Sequence, residues 1–260
     1  MKNFISLILV VVGLAIFSGC QTVAPIAASP EKNTYVLVHG AWGGGWDWRH
    51  VDDLLTADGN KVFRATLTGQ GERSHLASTN IDLDTHIQDV VNVILWENLH
   101  DVVLVGHSYG GMVVTGVADR VPERIKRVVY LDALLPENGE SVMGARPSRN
   151  IPLEVQNGFI LPNWVKGNPP PPHDVPMPAK CFSQPIILTN QAVKVPATYI
   201  LTVDVGKTPA QDDFYKFYKR AQARGWPVQI MVGDHNVQRT HPQELARLLE
   251  QSVQSGGRPK

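Results

Sequence analysis

Neither sign of charge is in surplus. Twenty-four Lys and Arg balance 24 Asp and Glu over 260 residues, a formal net charge of +0. That leaves no basic footprint of the kind nucleic acid requires. Cysteine is scarce, with only Cys20 and Cys181, which excludes a disulfide framework. His, Cys and the acidic residues show no zinc-type spacing, so no metal is expected. The apolar run at the amino terminus, Phe4 to Phe17, has about 14 residues, short of the roughly 20 that span a bilayer as a helix. Charged residues make up 18% and hydrophobic ones 43%, which suits a globular core and argues against disorder. The length fits one sizeable domain or two small ones, and no internal repeat is visible.

What is present centres on Val102-Val103-Leu104-Val105-Gly106-His107-Ser108-Tyr109-Gly110-Gly111. Branched aliphatics end at a glycine, a serine follows between glycines two positions away on each side, and an apolar helical segment runs on from Met112. The pattern predicts strand, tight turn and helix, with Ser108 at the tip. This is the G-x-S-x-G nucleophile elbow. Side chains at the flanking positions would collide with the strand or the helix. The turn lifts the Ser108 hydroxyl clear of the sheet and places its peptide groups at a helix N-terminus, which favours negative charge.

The amino terminus has the shape of a secretory signal peptide over residues 1–19: a Lys2 charge, the apolar run, then Ser18-Gly19-Cys20. Phe17-Ser18-Gly19-Cys20 resembles the lipobox of bacterial lipoproteins, although Phe17 stands where Leu is usual. The resemblance implies an acylated Cys20 as the first mature residue, an exported protein and a lipid anchor in the cell envelope. Gln21 after the cysteine favours the outer over the inner membrane, and several acyl chains give the stable anchoring that one does not. A simply cleaved signal is the alternative. Residues 20–33, rich in Ala, Pro, Ser and Thr, read as a tether, and residues 34–258 as the folded domain.

Within that domain, Thr34 to Val38, Lys61 to Thr66, Val102 to Val105, Arg127 to Asp132, Ala197 to Val203 and Pro227 to Val232 read as strands. Amphipathic helical stripes alternate with them, including Ile87, Val90, Val91 and Ile94, and Leu245, Leu248 and Leu249. Pro209 to Ala223 reads as one helix stopped by Gly225. The alternation predicts an α/β fold, a mostly parallel sheet of about six strands flanked by helices. Twelve of the 19 prolines fall between Pro136 and Pro196. No central strand tolerates that, so residues from about 136 to 195 read as a Pro-rich cap inserted after the fourth strand.

Ser108, Asp204 and His235 each sit just past the carboxyl end of a predicted strand, the edge where open parallel sheets bind ligands. A serine hydroxyl needs a base, assigned to His235. The base needs a carboxylate behind it. An oxyanion needs two N–H donors, assigned to Tyr109 and to Ala41 in the loop after the first strand. Trp42 is a candidate pocket residue, while Trp48 belongs to the core from its helix stripe. His39 reads as a brace for the oxyanion loop and His107 as a packing residue. His75, His86, His100, His173 and His241 read as surface or loop positions, and Cys181 as a packed thiol.

Val36-Leu37-Val38-His39-Gly40-Ala41-Trp42, Leu67-Thr68-Gly69-Gln70-Gly71-Glu72-Arg73-Ser74-His75-Leu76, Gly106 to Met112, Tyr130-Leu131-Asp132-Ala133 and Gly233-Asp234-His235 together resemble one branch of the α/β-hydrolases. That branch holds bacterial pyrethroid-hydrolase-like carboxylesterases and plant methylesterases, with hydroxynitrile lyases as relatives. The resemblance spans Thr34 to Val253 and is loosest in the cap. It implies a cofactor-free serine hydrolase acting on small esters with an apolar acyl or alcohol part. It also implies Asp204 as the triad acid, leaving Asp132 a structural carboxylate at the root of the cap. A hydroxynitrile-lyase-like enzyme and a non-catalytic ligand-binding module are the alternatives on the same fold. The resembled lyases carry Thr where Gly40 stands, Lys where Asn236 stands and Glu where His107 stands, so the expectation is ester hydrolysis. Nothing in the sequence specifies oligomeric state.

Overall fold

Branched aliphatics in short runs, buried on two faces in the four inner strands, generate the central sheet. The computed structural model describes residues 32–145, 153–189 and 195–254; the expected signal segment and Cys20 lie outside them. In chain order come β1 (Thr34–Val38), α1 (Arg49–Ala57), β2 (Lys61–Ala65), α2 (Leu83–Trp96), β3 (Val102–His107), α3 (Gly110–Arg120) and β4 (Ile125–Leu131). The cap region follows, with α4 (Val142–Ala145), β5 (Val155–Gln156), β6 (Phe159–Ile160), β7 (Met177–Pro178) and α5 (Lys180–Ser183). Then β8 (Ala197–Val203), α6 (Tyr215–Ala223), β9 (Val228–Val232), α7 (Val237–Thr240) and α8 (Pro242–Gln254) complete the described chain.

The six long strands lie in the order β2-β1-β3-β4-β8-β9, and every pair is parallel. Side chains alternate between the two faces of a strand, and two cores result. Val36 and Val38 of β1 and Leu104 of β3 join Ile87, Val90 and Ile94 of α2, Val113 and Val117 of α3, and Phe217 of α6 on one face. Tyr35, Leu37, Val103 and Val105 join Trp48, Val51 and Leu55 beside α1, and Leu245 and Leu249 of α8, on the other. Each fully buried side chain of this size contributes about 1.5–3 kcal/mol. The expected two-layered helix cover and the place of Trp48 both follow from this alternation.

Three local readings change. The stretch after Pro209 is two pieces: a single 3-10 turn at Pro209–Gln211, then α6 from Tyr215. The break is a side-chain turn in which Asp212 Oδ1 accepts from the Phe214 amide at 2.8 Å. The cap contains a small antiparallel sheet, β5-β6-β7, besides its short helices. His86 is fully buried. Its Nε2 donates to the Thr68 carbonyl at 3.0 Å and its Nδ1 accepts from the Tyr109 hydroxyl at 3.0 Å. With both nitrogens partnered, burial of the neutral ring costs little.

Candidate active site

Strand β3 ends at His107, and Ser108 follows with φ +53, the strained left-handed region that an elbow imposes. The turn closes tightly. A Cβ on Gly106 would stand 2.7 Å from the Gly110 carbonyl oxygen, and one on Gly110 would stand 2.9 Å from the Val38 and His39 carbonyl oxygens. Those distances explain both flanking glycines. The Ser108 carbonyl accepts from the amides of Gly111 at 3.1 Å and Leu134 at 3.0 Å, which ties the elbow to the segment after β4.

His235 meets Ser108 from the turn after β9. Its Nε2 lies 3.0 Å from Ser108 Oγ. Its Nδ1 donates to Asp132 Oδ2 at 2.6 Å. The carboxylate behind the imidazole is therefore Asp132, not Asp204, and the sequence expectation is corrected on this point. Asp132 follows β4 with φ +42, a conformation Asp tolerates better than most residues. Its side chain is 2% exposed. Its amide donates to the Ile200 carbonyl at 2.7 Å and its Oδ1 accepts from the Thr202 amide at 3.2 Å. Strand β8 thus supplies the backbone that aims the acid, rather than the acid itself. Asp204, past the end of β8, pairs with Lys207 at 2.5 Å and is 46% exposed. It borders the cavity, but its recorded partner is that lysine.

Burial works against charge on His235, but its hydrogen bond to Asp132 and that residue's negative charge outweigh it, and the pKa is raised. His107 does more than pack. Its Nε2 donates to the His235 carbonyl at 2.7 Å, and its Nδ1 faces the Gln238 amide nitrogen at 3.3 Å. Burial holds its pKa well below the usual value, so it braces the His235 turn as a neutral ring. His39 has the bracing position expected of it. Its Nδ1 donates to the Gly40 carbonyl at 2.7 Å and its Nε2 accepts from the Leu67 amide at 3.1 Å. Burial lowers its pKa to about 4, and the neutral tautomer those two bonds need persists at ordinary pH.

The Ser108 hydroxyl faces a cavity of about 530 Å³. Ala41 and Tyr109, the expected oxyanion donors, both border it beside Ser108, as do Trp42, Leu134, Val142 and Phe182. Trp42 also joins the loop after β1 to the cap. Its Nε1 donates to the Ile160 carbonyl at 3.0 Å, and its carbonyl accepts from the Val175 amide at 2.8 Å. Its ring packs edge-on against Trp164 at 5.0 Å. A polar chain backs this joint: Trp164 Nε1 donates to Asp174 at 2.7 Å, and Arg239 lies 3.4 Å from Asp174 and 2.5 Å from Asp47. Burial raises the Asp47 pKa to about 6 against the pull of Arg239.

Sequence reasoning missed Asp132 as the partner of His235, the His107 brace and Phe214, whose ring stacks on His235 at 4.9 Å. Asp132 carried a signal, since it ends a branched strand just as Asp204 does. Phe214 carried none beyond its place in the segment expected to be one helix.

A serine elbow at the carboxyl edge of a parallel sheet, with a histidine and a buried carboxylate in line behind it, defines the α/β class built around a nucleophile elbow. The chain belongs to the Alpha/beta hydrolase family, whose model matches residues 35–248. It is 52% identical over 126 residues to the carbendazim hydrolyzing esterase of Nocardioides sp. (strain SG-4G), covering 48% of this chain and 52% of that protein. It is 33% identical over 132 residues to methylesterase 1 of Arabidopsis thaliana, covering 49% and 50%. The chain thus spans about half the length of these two curated relatives. Among solved structures, it resembles an extracellular alpha/beta-hydrolase from a Paenibacillus species. That protein is described as sharing structural and functional homology with tobacco salicylic acid binding protein 2. The TM-score is 0.70 at 25% identity, over 87% of this chain and 100% of that one.

Proposed function

We propose that this protein is a serine carboxylesterase that cleaves small esters with an apolar acyl or alcohol part through an acyl-Ser108 intermediate. The observation that carries the reading is the unbroken line from Ser108 Oγ through His235 to Asp132 at the wall of an aromatic-bordered cavity. The names of the esterase and methylesterase relatives support the same reaction type.

The steps follow from proton bookkeeping. His235 Nε2 takes the Ser108 proton as Oγ attacks the ester carbonyl carbon. Negative charge moves to the carbonyl oxygen, where the amides of Ala41 and Tyr109 are the assigned donors. Each such donor stabilises the transition state by about 2.7–4 kcal/mol. Asp132 holds the imidazole in the tautomer that leaves Nε2 free, and balances the imidazolium once it forms. His235 then protonates the departing alkoxide. Water enters, loses a proton to Nε2 and attacks the acyl carbon, and Ser108 leaves with the proton. The base must be neutral to start, so activity falls at pH values below the raised pKa of His235.

Cyanohydrin cleavage fits this site less well. Asn236 next to His235 carries no charge to steady a departing cyanide. Gly40 carries no hydroxyl for a cyanohydrin oxygen, and a side chain there would begin 3.1 Å from both the Ser108 Cβ and the His107 ring, a tight fit. Offering mandelonitrile and a series of p-nitrophenyl esters to one preparation tests the assignment. We expect Ser108-dependent p-nitrophenol release and little benzaldehyde. Efficient benzaldehyde release with no ester cleaved would overturn it.

The lipobox-like Phe17-Ser18-Gly19-Cys20 supports export and a lipid anchor on Cys20, with the outer membrane as destination. Cys20→Ala is expected to block acylation and release the protein from the membrane fraction. Mass spectrometry of the native protein showing no acyl group on residue 20 would contradict this reading.

A further inference from the structure

The His235 imidazole is in contact with two rings. Phe214 stacks on it with centroids 4.9 Å apart and planes 14° apart. His107 lies against it with centroids 4.6 Å apart and planes 43° apart. The contact with His107 is accompanied by its hydrogen bond to the His235 carbonyl at 2.7 Å. The contact with Phe214 has a support of its own. Asp212 Oδ1 accepts from the Phe214 amide at 2.8 Å, which fixes the backbone that carries the ring. Phe217, fully buried in the core, packs against Phe214 at 6.0 Å. Phe214 is thus held from two directions, half-buried, at the edge of the cavity.

We infer that Phe214 is a positioning residue: its ring keeps the His235 imidazole in line between Ser108 and Asp132 and favours the imidazolium that forms during turnover. The inference rests on His235 being the base. The physical argument has two parts. A flat apolar ring nearly parallel to the imidazole blocks the rotation that would take Nε2 away from the serine. A cation held over an aromatic face within about 6 Å of its centroid is also attracted by the ring quadrupole. The neutral imidazole gains much less, so the stack acts where charge appears. The charged groups bearing on His235 are Asp132 at the end of β4, Asp212 before α6 and Asp234 in its own turn. His107 from the elbow is a further titratable neighbour. Phe214 adds to their effect without adding a charge that would also act on the substrate.

The test separates the aromatic face from simple cover. Phe214→Leu keeps an apolar group over the imidazole and removes the face, whereas Phe214→Tyr keeps the face. The His235 ring protons are followed by NMR titration in the free protein, where no substrate contact of Phe214 enters, and kcat and KM are measured alongside. In Phe214→Leu the His235 pKa is expected to fall by about half a unit. The value for kcat should drop about tenfold with KM within threefold, and both effects should be largely restored in Phe214→Tyr. An unchanged or raised His235 pKa in Phe214→Leu, or the same shift in both variants, overturns the inference. Failure of His235 as base would show separately, as wild-type activity that does not follow the His235 titration.

Discussion

Ser108→Ala will abolish ester turnover while the protein stays folded. The Cβ that the elbow must accommodate is already present in serine, and only the hydroxyl is lost. Its partner is His235 Nε2 at 3.0 Å, at the cavity, so no buried group is left stranded. The thermal midpoint should move by no more than a few degrees. Loss of the nucleophile in a serine protease costs about six orders of magnitude in kcat, and a loss on that scale is expected here. Ester cleavage is followed by a p-nitrophenyl burst assay and folding by circular dichroism. A folded Ser108→Ala variant that still gives an acyl-enzyme burst would remove Ser108 from its role.

Asp132→Asn will drop kcat by about four orders of magnitude, and Asp204→Asn will leave it within a few-fold of wild type. Asn at 132 still offers an Oδ1 to the Thr202 amide, so the turn after β4 keeps its support. What it loses is the acceptor charge that fixes the His235 tautomer. In the serine protease triad that substitution costs about 10⁴ in turnover. Asp204 pairs with Lys207 near the surface, and such exposed pairs contribute about 0–1 kcal/mol. Parallel steady-state kinetics on the two variants decide the matter. Full loss in Asp204→Asn with activity retained in Asp132→Asn would reverse the assignment.

The contrast between these two aspartates shows where the sequence stops being legible. The elbow could be read because its pattern is local, a serine fenced by glycines between a strand and a helix, although Gly110 also makes room for the Val38 and His39 carbonyls of the neighbouring strand and its loop. The sheet could be read because each inner strand buries alternate residues in two cores, which forces continuous runs such as Tyr35 to Val38. Asp132 and Asp204 look alike at that level, each ending a branched strand. They differ in the backbone that follows. Asp132 turns left-handed under the β8 amides, and the chain at Asp204 carries its carboxylate out to Lys207. That difference depends on neighbouring strands and leaves no local mark. His86 was misread for a similar reason: its two partners come from a loop and from the elbow, far off in sequence. In the cap, proline excluded a long strand, but the two-residue pairings of β5, β6 and β7 are too short to leave a periodic pattern.

The most direct test of the central claim is to quench a reaction with a slowly deacylating p-nitrophenyl ester in acid and measure the intact mass. The account predicts a single added acyl group, located on the peptide that carries Ser108 and absent from Ser108→Ala. Sustained ester turnover with no acyl adduct, or an adduct on any other residue, would contradict it.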